Sequence, residues 1–431
     1  MKKKLIFTAI VCFLAFGGNF ASYAEAAPMS RDRAADSGAD RAKMQNKKIS
    51  SANQQKTEKK TDSGDRDRGA KSSRKNGTEI RVGLLSAQTF SLTGLADYKA
   101  QVNGKTVASY KSGKNLSVSR KGDTIYLNGK KMGKEVVLTT GHEGAAFAAK
   151  GNRYRGDMKI LPSRWGSGMT LVNVVPMEDY LRGVVPREVI PSWHTEAIKA
   201  QAVAARTYAA FHKGGYESSG YDVTDDTRSQ VYGGISAETP ATDRAIQETE
   251  GEILTYQGKP IDAVFHSSSG GYTENSENVW GTSIPYLRGV KEVQNGTPWT
   301  KTIPLTVFAK NLYGEGKLKT IQLSHLNIGK AHHSADRGIS GRVKSVKLGG
   351  NKGNKTVTGS QIQKQYGLSS TLFDIAVKGK NVIITGYGAG HGLGLSQWGA
   401  EAFAEKYKNK KGCYKDILAH YFTGAKLEKE Y

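Results

Sequence analysis

Between Glu79 and Leu171, apolar and polar side chains alternate in short runs, broken repeatedly by Gly-Lys and Asn-Gly pairs. A period of two is what a strand with one buried face requires. Tyr98–Val102 and Thr106–Tyr110 flank Asn103-Gly104, and Thr124–Leu127 precedes Asn128-Gly129, so both places are predicted to be tight hairpins. The stretch from Asn152 to Gly156 is predicted as one more turn leading into a strand. After Leu171 the period lengthens. From Pro176 to Gly183 a proline opens the run, two acids follow in the first turn and a glycine closes it, which predicts a short helix. Val184 to Pro191 reads as a stiff loop, because prolines 186 and 191 restrict both themselves and the residues before them. A long alanine-rich helix follows, from Glu196 to Phe211, with Ser192 as its expected cap. Its apolar stripe, Ile198, Ala202, Ala205 and Ala209, suits packing on a sheet.

Further on, strands are expected at Glu252–Tyr256, at Ile261–His266 and around Val279-Trp280-Gly281. A Lys/Asn/Gly-rich hairpin at 349–355, an amphipathic helix from Ala400 to Tyr407 and a last helix from Tyr414 to Phe422 before Gly424 complete the pattern. The expected class is α+β: a β-rich lobe (78–172), a helical part (173–232) and a mixed β/α part (233–431), the lobes enclosing a substrate groove.

The first 77 residues follow other rules. Lys2, Lys3 and Lys4 precede an apolar run from Leu5 to Phe20, with small residues at Ser22, Ala24 and Ala26. That order predicts a cleavable secretory signal over residues 1–26, and the run is short of the ~20 apolar residues of a spanning helix. Residues 27–77 carry few apolar side chains and many Lys, Arg, Asp, Ser and Gln, a composition that cannot offset the entropy of ordering. They are expected to be a disordered basic linker. What remains, about 350 residues, is ample for one large or two ordinary domains.

Cys12 falls within the signal and leaves Cys413 alone, so no internal disulfide is expected despite an oxidising address. The formal charge of +24 turns attention to polyanions. For a secreted chain those are wall polymers such as teichoic acids and muramyl-peptide carboxylates, rather than nucleic acid, and the basic linker is the expected point of contact.

Among candidate chemistries, a Ser-His-Asp site has raw material in Ser267–Ser269, Ser396, His266 and His391, but none lies in a Gly-x-Ser-x-Gly elbow. His332-His333, His266 and His391 are scattered, and there is no His-Glu-x-x-His or Cys-x-x-Cys pattern, so neither metal nor cofactor is expected. The Ser/Gly-rich loop at 267–271 lacks the Gly-Lys-[Ser/Thr] ending of a phosphate loop. Lys199 and Arg206, seven apart, share one helix face, either solvated or turned toward an anionic or sugar-bearing groove. His391 stands among glycines, which signals a close backbone crossing that either carries the ring into a groove or lets it satisfy a buried carbonyl. Glu188, between two prolines and beside Val189, Ile190 and Trp193, fits glycoside cleavage. An apolar setting keeps such an acid protonated for the leaving oxygen. Hydrolysis ordinarily needs a second carboxylate, whereas a transglycosylase that uses the sugar's own 6-hydroxyl manages with one acid.

Five blocks resemble one family. Val185–Pro191, Glu196–Tyr208, Ser267–Gly281, Pro285–Val290 and Gly390–Ala400 together are similar to the SpoIID/LytB family, over a stretch running from about Glu79 to the end. The resemblance implies either a lytic transglycosylase acting on peptidoglycan glycan strands or an enhancer that stimulates a cell-wall amidase. It places the catalytic acid at Glu188 and activity-supporting basic and aromatic positions at Lys199, Arg206, Tyr286 and Arg288. Ser268, Ser269, His391 and Gln397 fall in its groove-lining motifs. Some members bind zinc through Cys and His after the long helix. Here Asp222 to Tyr232 contains neither, so the resemblance implies no metal.

Overall fold

A computed structural model describes residues 78–431 apart from 142, 143, 145, 165 and 293–295. The expected signal and linker lie outside the described residues. Eight α-helices occur among those described: α1 (Met177–Glu188), α2 (Thr195–Phe211), α3 (Pro240–Glu248), α4 (Ser276–Trp280), α5 (Leu305–Phe308), α6 (Gly359–Tyr366), α7 (Gln397–Lys406) and α8 (Cys413–Tyr421). None is long and apolar enough to cross a membrane.

The N-terminal part is a pair of sheets of seven and six strands. Alternation does what the pattern predicted: in Asn115–Lys121 the side chains of Leu116 and Val118 are buried and their neighbours are not. Tyr98–Val102 pairs antiparallel with Lys105–Tyr110, and Thr124–Leu127 with Lys130–Gly133. Both hairpins turn through Asn-Gly with positive φ at each residue, +50° and +74° in the first, +48° and +78° in the second. Those values fit the primed turn that Asn-Gly favours. The other turn is displaced: Lys150 and Gly151 make it, and Asn152–Arg155 is itself the strand.

Strand Met169–Pro176 runs antiparallel to Glu79–Ala87, whose other edge holds the short parallel strand Val223–Thr224. The boundary drawn at residue 172 therefore falls inside a strand, and the helical segment returns to complete the first sheet. Side chains of both sheets share one core with Ile198, Ala202, Ala205 and Ala209 of α2. The opposite side of α2, with Ala197, Ala200, Val203 and Ala204, joins a second core that includes Leu254, Leu393, Leu395, Ile417 and Phe422. Alanine suits a helix buried on two sides because its small side chain lets neighbouring backbones approach without losing rotamer entropy. A third core, around Phe308, Val346, Leu348, Ile362, Phe373 and Ile384, holds two further three-stranded sheets, including the hairpin Ser345–Gly350 with Gly353–Thr358 predicted around 349–355.

Several expected elements shift. The helix from Met177 does not stop at Gly183 but continues to Glu188, with Pro186 inside it. Gly183 serves close approach, since a Cβ there would lie 2.4 Å from the Tyr232 ring. His194, not Ser192, caps α2, its Nδ1 accepting from the Glu196 N–H at 3.2 Å. Val279-Trp280 closes the short helix α4 rather than a strand. Helix α7 starts at Gln397, three residues before the expected Ala400, with the Ser396 hydroxyl accepting from Gly399 N–H at 3.3 Å.

Candidate functional site

Glu188 is the last residue of α1 rather than part of a loop. Pro186 removes one helical donor, but the Val189 N–H still reaches the Val185 carbonyl at 3.1 Å and closes the final turn. The helix is fixed from behind by Tyr180, whose hydroxyl donates to Gln230 Oε1 at 3.1 Å, while Gln230 Nε2 donates to the Ala205 carbonyl at 3.3 Å.

The segment that packs on Glu188 is Asp222–Tyr232, and two of its acids are held by cations from the N-terminal part. Asp222 takes the Arg81 guanidinium at 2.6 Å and Asp225 takes Lys150 at 2.8 Å. The Tyr232 hydroxyl donates to Asn173 Oδ1 at 2.9 Å. So anchored, the segment brings the Val231 N–H near enough to favour the charged form of Glu188. A second contact comes from α7, where Gln397 Nε2 lies 3.5 Å from Glu188 Oε2, at the outer edge of hydrogen bonding. The same nitrogen is 3.5 Å from Gln201 Oε1 on α2. Gln201 Nε2, a buried donor, has no partner among the described residues.

Burial pushes the Glu188 carboxyl up from the usual carboxylate range, against the opposing pull of the Val231 N–H, the Gln397 amide and Arg187. The negative end of the α1 dipole acts in the same direction as burial. Among the described residues, the groups that set this titration include no second carboxylate. A half-buried acid with a raised pKa is the form a proton donor needs at neutral pH.

Two tryptophans sit on the segments that carry Glu188 and Gln397. Trp193 follows Glu188 by five residues and packs against the first core, and its ring centroid lies 4.9 Å from that of Trp398, which is 41% exposed. A cavity of about 260 Å³ is lined by Arg187, Val231 and Tyr232 together with Lys150 and Asp225. Among the described residues no group of three or more His, Cys, Asp or Glu side chains converges as a metal site requires.

Of the residues singled out in the sequence, only Gln397 is brought to Glu188 by a direct contact among those described. Lys199 and Arg206 point elsewhere: at 100° per residue they lie about 200° and about 140° around α2 from Gln201. Lys199 pairs with Glu196 at 2.9 Å and Glu248 at 2.7 Å. Arg206 is fully buried, with Nε and Nη2 at 2.7 and 2.6 Å from the two oxygens of Glu178 and a further bond to the Glu252 carbonyl at 3.1 Å. Arg288 pairs with Glu277, reaching Oε1 at 3.1 Å. The Tyr286 hydroxyl accepts from the Asp262 N–H at 3.1 Å, and burial pushes its pKa up to about 12.

Ser268 exchanges backbone bonds with Ala389 at 3.1 and 2.8 Å, and Ser269 is fully buried, its hydroxyl accepting from Gly271 N–H at 3.0 Å. His391 satisfies a carbonyl: Nε2 donates to Phe265 O at 3.1 Å, while Nδ1 accepts from Leu393 N–H at 3.0 Å. Burial, helped by Arg342, pushes its pKa down to about 4 and keeps the ring neutral. The glycines beside it do mark a close crossing, since a Cβ on Gly392 would sit 2.3 Å from the Arg342 guanidinium carbon.

With this arrangement in view, comparison with known proteins is informative. A family model described as stage II sporulation protein matches residues 166–256, which span α1, α2 and the segment that contacts Glu188. Stage II sporulation protein D of Bacillus subtilis is 34% identical over 281 residues, covering 59% of this chain and 75% of that protein. The chain belongs to the SpoIID family. A protein of Brachyspira hyodysenteriae is 33% identical over 301 residues, covering 68% of this chain and 77% of its own length. The amidase enhancer of Bacillus subtilis is 33% identical over 294 residues, with 57% of this chain and 40% of the enhancer covered.

Sequence reasoning did not single out Gln201 or Val231 as neighbours of the acid. For Gln201 a signal existed, as it is the one amide amid the alanines of α2. Val231 contributes only its N–H, which any residue but proline supplies, so its sequence carries no sign of the contact.

Proposed function

We propose that this SpoIID-family protein is a peptidoglycan lytic transglycosylase that cuts the β-1,4 bond between MurNAc and GlcNAc. Glu188 protonates the leaving oxygen and then, as carboxylate, takes the proton of the sugar's own 6-hydroxyl as that oxygen closes on the anomeric carbon. The product is a 1,6-anhydro end. The observation that carries this reading is the half-buried Glu188, its carboxyl raised by burial, with no second carboxylate among the described groups that set its titration. Gln397 and the Val231 N–H favour the charged form of the carboxyl between the two proton transfers. The protein acts in the cell wall after export by the signal at 1–26, and the basic linker at 27–77 holds it near teichoic acids and other wall anions. Wild-type protein incubated with purified glycan strands is expected to release 1,6-anhydro ends, and Glu188→Gln is expected not to. If wild-type protein yields none, the enzymatic reading fails.

The similarity to the amidase enhancer favours a second reading, in which the same surface binds the wall and stimulates an amidase without chemistry of its own. In that case Glu188→Gln stimulates a wall amidase as well as the wild type does.

A further inference from the structure

We propose that Trp398, braced by Trp193, is the stacking platform for a sugar ring next to the bond held at Glu188. The inference rests on the proposed glycan substrate and adds a subsite to it. Tryptophan is among the most buried residue types on average, yet Trp398 keeps 41% of its surface in solvent. It does so from a fixed position. Its backbone N–H is bound to the Ser267 carbonyl at 3.0 Å, and Ser396 caps the turn that carries it. Its ring meets that of Trp193 at 64°, and Trp193 is wedged against the first core. A rigid exposed aromatic surface loses little entropy when a ligand covers it.

Position identifies the ligand. Gln397, whose amide touches Glu188, is the adjacent residue, and consecutive Cα atoms are about 3.8 Å apart. The indole thus begins one residue from a side chain in contact with the acid.

The surroundings point the same way. A pyranose has C–H groups on its faces and hydroxyl or acetamido groups around its rim. The indole face, negative in its quadrupole, suits the C–H groups, and polar groups at its edge suit the rim. The polar groups nearest Trp398 along α7 are Gln397, whose amide reaches Glu188, and Glu401, one helical turn on, whose Oε2 accepts from the His194 N–H at 3.0 Å. A protein partner would favour a wider apolar patch. Here the positions one helical turn further along α7 are Glu401 and Ala402, which extend no aromatic surface.

The test uses full-length protein and tetra-N-acetylchitotetraose as a soluble strand mimic, with binding measured by calorimetry. Glu188→Gln is the background, so that no bond is cut. Trp398→Ala is expected to weaken binding by about tenfold, and Trp398→Phe to recover most of the loss. Trp398→Ala gives up the ring contact with Trp193 and should melt somewhat below the parent, Trp398→Phe less so, and circular dichroism checks that both are folded at the assay temperature. Equal binding by Trp398→Ala and its parent overturns the proposal, as does failure of the parent to bind the oligosaccharide at all. Loss of amidase stimulation with oligosaccharide binding intact assigns the ring to a protein partner and also overturns it. The two readings separate cleanly. Anhydro ends from the wild type with Trp398-independent binding remove the platform and leave the enzyme. Trp398-dependent binding without anhydro ends does the reverse.

Discussion

Arg206 offers the sharpest contrast between what the family resemblance implies and what the fold does with the residue. Its guanidinium is completely buried and spans both oxygens of Glu178, with further bonds to the Glu252 and Ile246 carbonyls at 3.1 and 3.4 Å. Glu178 also accepts from Gly251 N–H at 3.3 Å and from the Tyr431 hydroxyl, and its side chain is 22% exposed. Removing one member of a buried pair typically costs about 3–5 kcal/mol, because the other charge is left without compensation. Arg206→Met leaves a carboxylate that keeps two donors and some water, so its cost should fall at the low end, about 3 kcal/mol. At about 2 °C per kcal/mol for a chain of this size, melting falls by roughly 6 °C.

Glu178→Gln keeps the shape but orphans a cation with no access to water, and should cost at least as much. Urea unfolding and a thermal scan measure both, and oligosaccharide binding by the folded fraction at 25 °C reports on the site. If Arg206 is structural, binding by the native protein survives both substitutions. An Arg206→Met protein of wild-type stability that no longer binds sugar would refute the assignment and put the guanidinium on the substrate.

Two further predictions concern pH. Because burial raises the Glu188 carboxyl above its unfolded value, the folded state holds an extra proton between the two, and stability falls as pH rises through that window. Glu188→Gln should therefore be more stable than wild type at pH 8, the gap closing toward pH 4; a pH-independent gap in urea midpoints would contradict a raised pKa. His391 works in the opposite sense, since its folded pKa of about 4 lies below the unfolded value of about 6.5. The unfolded state protonates first as pH falls, so stability is lost between about 6.5 and 4, by at most about 3.4 kcal/mol. NMR of the ring protons should show His391 neutral at pH 5.5, and a charged ring there would remove the argument.

The hairpins were legible because their information is local: Asn103-Gly104 and Asn128-Gly129 favour the φ values they adopt whatever surrounds them. The long helix was legible too, its stripe being a periodic signal. What misled was a pair of residues with two possible reasons to be present. Gly183 and Pro186 resemble stop signals, but Gly183 makes room for Tyr232, which lies 49 positions further along the chain, and Pro186 is tolerated in the last stretch of helix where only one bond is lost. Lys199 and Arg206 do share a helix face. Their partners come from α1, α3 and α2 itself, so the number of acids that would claim them could not be read from spacing. Gln397 and Glu188 meet across 209 positions, a contact that no local pattern encodes.

That separation bears on how the site is held together. The region matched by the family model supplies the acid, the Val231 N–H that favours its charged form and Gln201. Gln397 and Trp398 come from the other end of the chain and are placed by the parallel pairing of Phe265–His266 with Leu395–Ser396. Leu393 and Leu395 belong to the second core, whereas Val184, Val185 and Val189, around the acid, belong to the first. Helix α2 is the element common to both, buried on each side by a different set of alanines. The Glu188–Gln397 distance is therefore set by how two cores seat on one helix rather than by any residue near the acid. A 3.5 Å contact is the part of such a site most easily lengthened, and a lengthened contact leaves the carboxyl with burial as its main influence and a pKa further raised. Packing changes on α2, remote from any substrate, should thus alter the acidity of Glu188 before they alter its position on α1.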